Sequence, residues 1–246
     1  MIDTHAHLEA CADPAHELVQ RARAKGVSRI LAVGTTIETC RDALSFAEAE
    51  DGVFAILGIH PHEAEREGNR LGELRQLLVH PRAVAVGETG LDFYRDLAPR
   101  ERQQEVCAAQ LDLARELRKP VVIHTRAADR ETADQLERFD GTVVLHCFSS
   151  PPLLRVALER DYYVSFAGNV SFPNASDLRL AACQVPLNRI LAETDSPYLA
   201  PQPVRGRPNE PAHVVHTVAA LAEARGVEPS ALAAQIDENA EAAFGL

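Results

Sequence analysis

The sequence predicts an α/β protein built as a (β/α)8 TIM barrel. Short apolar runs alternate with stretches of helical period along the whole chain, and eight such runs can be counted. Polar residues able to bind metal recur where the runs end, which is how a barrel gathers a site at the carboxyl ends of its strands. With 246 residues and 46% hydrophobic content the chain can build one sizeable core, so residues 1–246 are read as a single domain.

The opening, through Leu8, reads as a first strand, and within it His5 and His7 stand two apart, on one face of a strand. Asp13-Pro14 starts a helix with Asp13 as its N-cap, and Leu18, Val19 and Ala22 form the apolar stripe. Arg29 to Val33 is a continuous run stopped by Gly34, which suits a strand covered on both faces. A helix over 37–49, a strand over 53–57 and the loop Gly58-Ile59-His60-Pro61-His62 follow. After a helix over 71–78 the fourth strand occupies 83–86, and Gly87 to Asp92 reads as its terminal loop. A long helix over 99–117 opens on Pro99, favoured at a first helical position, and leads to the strand 121–123, which ends on His124. A helix over 130–138 precedes the strand 142–145, which ends on His146. A helix over 153–159, a strand over 162–166 and a turn or helix over 176–183 come next. The eighth strand, 189–192, runs into Glu193-Thr194-Asp195; a Pro-rich loop over 197–211 and helices over 211–224 and 229–246 close the chain.

A formal charge of −11 argues against a general electrostatic grip on nucleic acid or an anionic membrane, because such grips use clustered Lys and Arg. A phosphodiester substrate stays open, since two divalent ions and a few local arginines make one cleft positive on an acidic protein. Cys11, Cys40, Cys107, Cys147 and Cys183 have no regular metal spacing and suit a reducing compartment. The opening carries neither a basic segment before an apolar core nor a membrane-spanning run, so a cytoplasmic location with no membrane contact is expected, with a monomer as the default assembly.

A single histidine after a strand is more often packed or hydrogen-bonded than a ligand. Here His5, His7, Glu88, His124, His146 and Asp195 all fall at the inferred carboxyl ends of strands one, four, five, six and eight. Neutral imidazole and carboxylate together suit Zn²⁺, Mn²⁺ or another divalent ion such as Mg²⁺, and a bridging carboxylate can hold two ions roughly 3.5–4 Å apart. Glu88 is the natural bridge. Asp195 is a candidate both as a ligand and as the catalytic acceptor of the attacking water's proton.

Six stretches then carry a family resemblance: Met1-Ile-Asp-Thr-His-Ala-His, Gly58-Ile-His-Pro-His, Gly87-Glu-Thr-Gly-Leu-Asp-Phe-Tyr, Val122-Ile-His-Thr-Arg, Leu145-His-Cys-Phe-Ser and Glu193-Thr-Asp-Ser-Pro-Tyr-Leu. In this order they resemble the motifs of TatD-family metal-dependent deoxyribonucleases, as do Arg205-Gly-Arg-Pro-Asn-Glu-Pro and the ending Glu238-Asn239-Ala240 with Phe244. The resemblance implies a barrel of the amidohydrolase type with two divalent ions, one held by His5, His7, Glu88 and Asp195, the other by Glu88, His124 and His146. It also implies phosphodiester hydrolysis in DNA by a metal-activated water, as a 3′ to 5′ exonuclease on single strands. Two departures bear on the substrate cleft: Ala127 follows Arg126 where an acidic residue is common, and Ser150-Pro151-Pro152 stands where a Gly is usual.

Secondary candidates are substrate contacts. His60 and His62, around Pro61, are placed to reach a phosphate or leaving group; Arg126, two beyond His124, is placed to bind phosphate; Arg205 and Asn209 sit in the loop beside strand eight. His16, His80, His213 and His216 are left as structural, and Arg207 as a solvated surface residue. Two other readings compete. A related barrel hydrolase acting on an amide, ester or lactone uses the same chemistry, but the bridging position holds Glu88 rather than the Lys that many amidohydrolases carry there. A non-catalytic metal-binding scaffold would show a lost ligand, and all six positions are filled.

Overall fold

The computed structural model describes residues 1–246. Eight parallel strands follow one another in chain order: β1 (Ile2–Ala6), β2 (Arg29–Gly34), β3 (Val53–Leu57), β4 (Ala83–Asp92), β5 (Val121–Arg126), β6 (Val143–Leu145), β7 (Tyr163–Phe166) and β8 (Ile190–Ala192). The helices between and after them are α1 (Ala15–Ala24), α2 (Ile37–Ala49), α3 (Ala64–Glu67), α4 (Leu71–Leu78), α5 (Arg100–Leu117), α6 (Asp129–Leu136), α7 (Pro151–Glu159), α8 (Ser176–Gln184), α9 (Val214–Arg225) and α10 (Pro229–Phe244). The architecture is the predicted TIM barrel. Strands such as Ile30-Leu31-Ala32-Val33 are buried along their length because one face fills the barrel and the other meets the helices, which is why they read as unbroken apolar runs. One contiguous cluster of 70 buried hydrophobic residues joins them.

Local chemistry explains the helix starts unevenly. Thr36 and Thr39 form a reciprocal capping box at α2, each side chain serving the other's backbone N–H. Asp13, expected as the cap of α1, caps nothing: its carboxylate accepts from Arg21 at 2.7 Å, and Pro14 occupies the cap position.

The largest departure from expectation is β4. Gly87 to Asp92, read as a loop, continues the strand and pairs with β5 as far as Asp92↔Arg126. Glycines and polar residues predict a loop by composition, but here each is buried and the ladder with β5 overrides propensity. Strand β5 likewise runs on through His124 to Arg126.

The barrel is stitched rather than laddered where first and last strands meet. Between β1 and the end of β8 there is one isolated bridge, Ala6↔Ser196, with His7 N–H donating to Ser196 O (2.8 Å) and Asp195 N–H to His5 O (3.0 Å). Asp3 completes the seam, accepting from the Thr194 N–H at 2.8 Å and the Thr194 hydroxyl at 2.6 Å. Burial pushes the Asp3 carboxyl up to about 8 even against these donors.

Candidate metal centre

Two irregularities aim the first ligands. In β1 an extra residue lies between Asp3 and Ala6 relative to β2, and in β4 one lies between Val86 and Thr89 relative to β5. A bulge bends its strand and re-aims the side chains there, and bulges concentrate beside active sites. The bulge in β4 contains Gly87-Glu88 and needs glycine: Gly87 has φ +156°, and a Cβ there would stand 2.8 Å from the Val122 carbonyl. Gly58, at the end of β3, approaches so closely that its own Cβ would lie 2.6 Å from the Gly87 carbonyl carbon. β1 ends at Ala6, so His7 lies one residue beyond the strand, at φ −89° and ψ 79°. The pair therefore converges through a bulge and a turn rather than through simple strand alternation.

The other five predicted ligands gather around the buried Glu88 carboxylate, Asp195 through His7. Glu88 Oε2 lies 3.4 Å from His5 Nε2 and 3.6 Å from His7 Nε2, and His7 Nε2 lies 3.5 Å from Asp195 Oδ1. The other oxygen, Oε1, lies 2.7 Å from His124 Nδ1, 2.9 Å from His146 Nε2 and 3.4 Å from His60 Nε2. The carboxylate thus faces two groups of imidazoles, one with each oxygen. His60, anticipated only as a contact to a phosphate or leaving group, joins the second group; the signal in the sequence was its place three residues beyond β3, in the loop at that strand's carboxyl end.

Three buried acids missed as functional in the sequence support the ring. Asp92, at the end of β4, lies 3.2 Å from His124 Nε2 and 2.8 Å from His62 Nε2. Glu193 accepts from the Cys147 N–H at 2.8 Å with the same oxygen that lies 3.0 Å from His146 Nδ1. Asp3, through Thr194, fixes the turn that carries Asp195. Two glutamines on α5 brace the same rim: Gln110 accepts from Ile59 N–H and donates to the Thr89 hydroxyl, and Gln103 accepts from Asp92 N–H. Backbone strain collects here too, with Ala127, Cys147 and Asp195 in the left-handed region just past β5, β6 and β8.

Electrostatics make the cluster a cation trap. Burial disfavours charge on every group, yet Glu88 is held well below the usual carboxylate range by His146, His60 and His124. Burial also works against His7, His124 and His146, but the neighbouring carboxylates win: His7 is raised to about 8 by Asp195 and Glu88, and His146 rises well above its ordinary value through Glu88 and Glu193. His60 goes the other way, pressed by burial to about 4 and so left neutral with a lone pair to give. The His5 and His7 Nε2 atoms stand 3.3 Å apart and can share only one proton. Divalent ions resolve both demands, supplying positive charge to the acids while accepting lone pairs from neutral imidazoles. Ligand atoms of His5, His7 and Glu88, of His60, Glu88 and His124, and of His5, His146 and Asp195 lie within 4.8 Å of one another in each set.

The predicted substrate contacts fare differently. His62, at Asp92, and Arg126, two residues beyond His124, border the centre. The Arg205 guanidinium lies over the Phe172 ring on the β8 side. Asn209 serves the scaffold instead. It is buried, its amide donates to Thr194 O and Tyr198 O, and its oxygen accepts from Glu210 N–H. These bonds hold the Pro-rich loop against β8 and leave Asn209 nothing to offer a substrate.

Fold and site together define a metal-dependent hydrolase of the barrel type. A family model described as TatD related DNase matches residues 2–245. An uncharacterized metal-dependent hydrolase TatD of Mycobacterium tuberculosis is 40% identical, covering 100% of this chain and 98% of its own. A 3′-5′ ssDNA/RNA exonuclease TatD of Klebsiella pneumoniae is 37% identical over 94% of this chain and 91% of its own. The crystal structure of YjjV, a TatD homologue from Escherichia coli, superposes with a TM-score of 0.93 at 32% identity, covering 100% of this chain and 98% of that one. The chain belongs to the TatD related DNase family.

Glu193→Gln tests how the ring is held. The imidazole of His146 faces Glu88 only while its other nitrogen is fixed by the Glu193 carboxylate, and loss of such a partner typically weakens metal binding about 10- to 100-fold. Titration with Mn²⁺ followed by calorimetry should show a loss of that size; unchanged affinity would remove Glu193 from this role.

Proposed function

We propose that this protein is a deoxyribonuclease that hydrolyses phosphodiester bonds of single-stranded DNA from the 3′ end, with two divalent ions, Mg²⁺, Mn²⁺ or Zn²⁺, at Glu88. The observation that carries this reading is the Glu88 carboxylate itself, with His5 and His7 at one oxygen and His60, His124 and His146 at the other. The name of the Klebsiella relative supports the substrate and the polarity. Two ions held there would lower the pKa of the attacking water and offset negative charge on the attacked phosphoryl group.

The remaining steps belong to the chain. Asp195, ionised because His7 and His146 outweigh its burial, accepts the proton of the attacking water. His62, tethered to Asp92, a quarter exposed and with its ring 6.3 Å from that of His124, is placed to protonate the leaving oxygen. Arg126 offers a fixed cation to the phosphate. A cytoplasmic location fits five free cysteines; no helix is long and apolar enough to cross a membrane.

The test is a substrate panel of oligonucleotides, small esters and lactones, each with Mg²⁺ or Mn²⁺ and again with excess EDTA after dialysis. Single-stranded DNA should be cleaved with metal and spared with chelator. Full activity in EDTA would end the two-ion mechanism, and turnover confined to lactones or esters would favour the amidohydrolase reading.

A further inference from the structure

The geometry points to two nucleotide subsites flanking the metal centre, each an arginine stacked on an aromatic ring: Arg126 on Tyr94 at the ends of β4 and β5, and Arg205 on Phe172 beyond β7 and β8. This inference rests on the nuclease reading above and adds where the strand lies. Seven arginine guanidiniums stand over aromatic rings, and these two are the closest, at 4.0 and 3.7 Å from the ring centre against 4.6–5.8 Å for the rest. At such a distance each guanidinium is in contact with the face of its ring. Most other arginines meet a carboxylate, as Arg70 does with Glu38, Glu67 and Glu73. Arg126 and Arg205 meet none, and no protein acceptor takes their side-chain donors. A guanidinium held over a ring with its N–H groups unpaired is suited to a phosphate oxygen pair while its ring partner offers a face to a base.

Placement strengthens the case. The Tyr94 N–H donates to Asp92 Oδ1 at 3.0 Å, while Asp92 Oδ2 lies 3.2 Å from His124, so this stack is tied directly to the metal ring. Of four tyrosines, Tyr162 and Tyr163 are buried, whereas Tyr94 and Tyr198 are 66% and 56% exposed, both at the mouth of the barrel. Across that mouth, Phe172 and Arg205 line an open hollow of about 650 Å³ with Leu199, Asn169, Gln202 and the acidic Asp177, roomy enough for a nucleotide and rich in amides for base edges. Tyr198, whose ring is 5.9 Å from that of His7, lies between this hollow and the centre. The rings suit single strands because duplex bases already stack on each other, and a protein of charge −11 needs such local cations to hold a polyanion at all.

The experiment measures binding of a short labelled oligothymidylate by fluorescence anisotropy in EDTA, which separates strand holding from metal chemistry. Tyr94→Leu, Arg126→Gln, Phe172→Leu and Arg205→Gln should each weaken binding about five- to a hundredfold. Arg138→Gln removes an exposed charge from the opposite end of the barrel and should change nothing. Circular dichroism checks Phe172→Leu, the most buried of the set, and Arg205→Gln tests its subsite without touching the ring. Rim variants that bind like wild type, or an equal loss in Arg138→Gln, overturn the subsites. If wild type then still cleaves the oligonucleotide with Mn²⁺, the nuclease reading stands without them. Binding that falls as expected beside a wild type inert with every metal keeps the subsites and overturns the nuclease reading.

Discussion

Glu88→Ala should bring turnover and metal content down together, to background. The imidazoles of His5, His7, His60, His124 and His146 are all oriented on this one carboxylate, and its two oxygens serve different groups of them. Its removal takes away a ligand common to both ions and the negative charge that makes cation binding favourable there. His62→Ala is the matched comparison. His62 touches Asp92 and not Glu88, so its loss should leave metal in place and slow turnover within the range of a general acid, about 10²- to 10⁴-fold. Elemental analysis and rates on the same preparations decide the matter, with circular dichroism separating loss of a ligand from loss of the fold. A Glu88→Ala protein with wild-type metal content and rate would show the bridge to be misassigned.

Asp195→Asn separates proton transfer from ligation. Asparagine keeps the size and one ligating oxygen and tolerates the left-handed backbone that residue 195 adopts at φ +54°, so the turn should survive. It is a far weaker base. We expect kcat to fall about 10²- to 10⁴-fold with KM little changed, because Asp195 faces His7 and the ion site rather than the strand. Steady-state kinetics on a labelled oligonucleotide, with metal measured on the same protein, supplies the check. Retained metal with kcat within a few-fold of wild type would move the proton acceptor elsewhere, with His62 the next candidate.

What the sequence revealed and what it hid have a common physical cause. His124, His146 and Asp195 stand out because each interrupts or follows an apolar run, and a barrel brings run ends together whatever their separation along the chain. Glu193 directly follows the run of β8 and Asp92 ends the polar continuation of β4, but nothing in a one-dimensional pattern says which acid will face an imidazole. The continuation of β4 was illegible because Gly-Glu-Thr-Gly has little strand propensity; pairing with β5 and close backbone approach at Gly87 and Gly90 make it a strand. Asn209 misled for the opposite reason. A polar residue in a Pro-rich loop beside a site resembles a ligand contact, while its hydrogen bonds are all needed to hold the loop.

The stitched seam gives the first ion a second role. His5 and His7 stand on one lip of that seam and Asp195 on the other, with a single bridge and a handful of hydrogen bonds between them. An ion held as proposed binds only when both lips are together, so by mass action it favours the shut cylinder over any form in which the two edges part. It serves as a clasp. The linkage runs both ways: ion affinity is lowered by whatever fraction of molecules has the seam undone, and amide exchange along Ile2–Ala6 and Ile190–Ala192 becomes a gauge of occupancy.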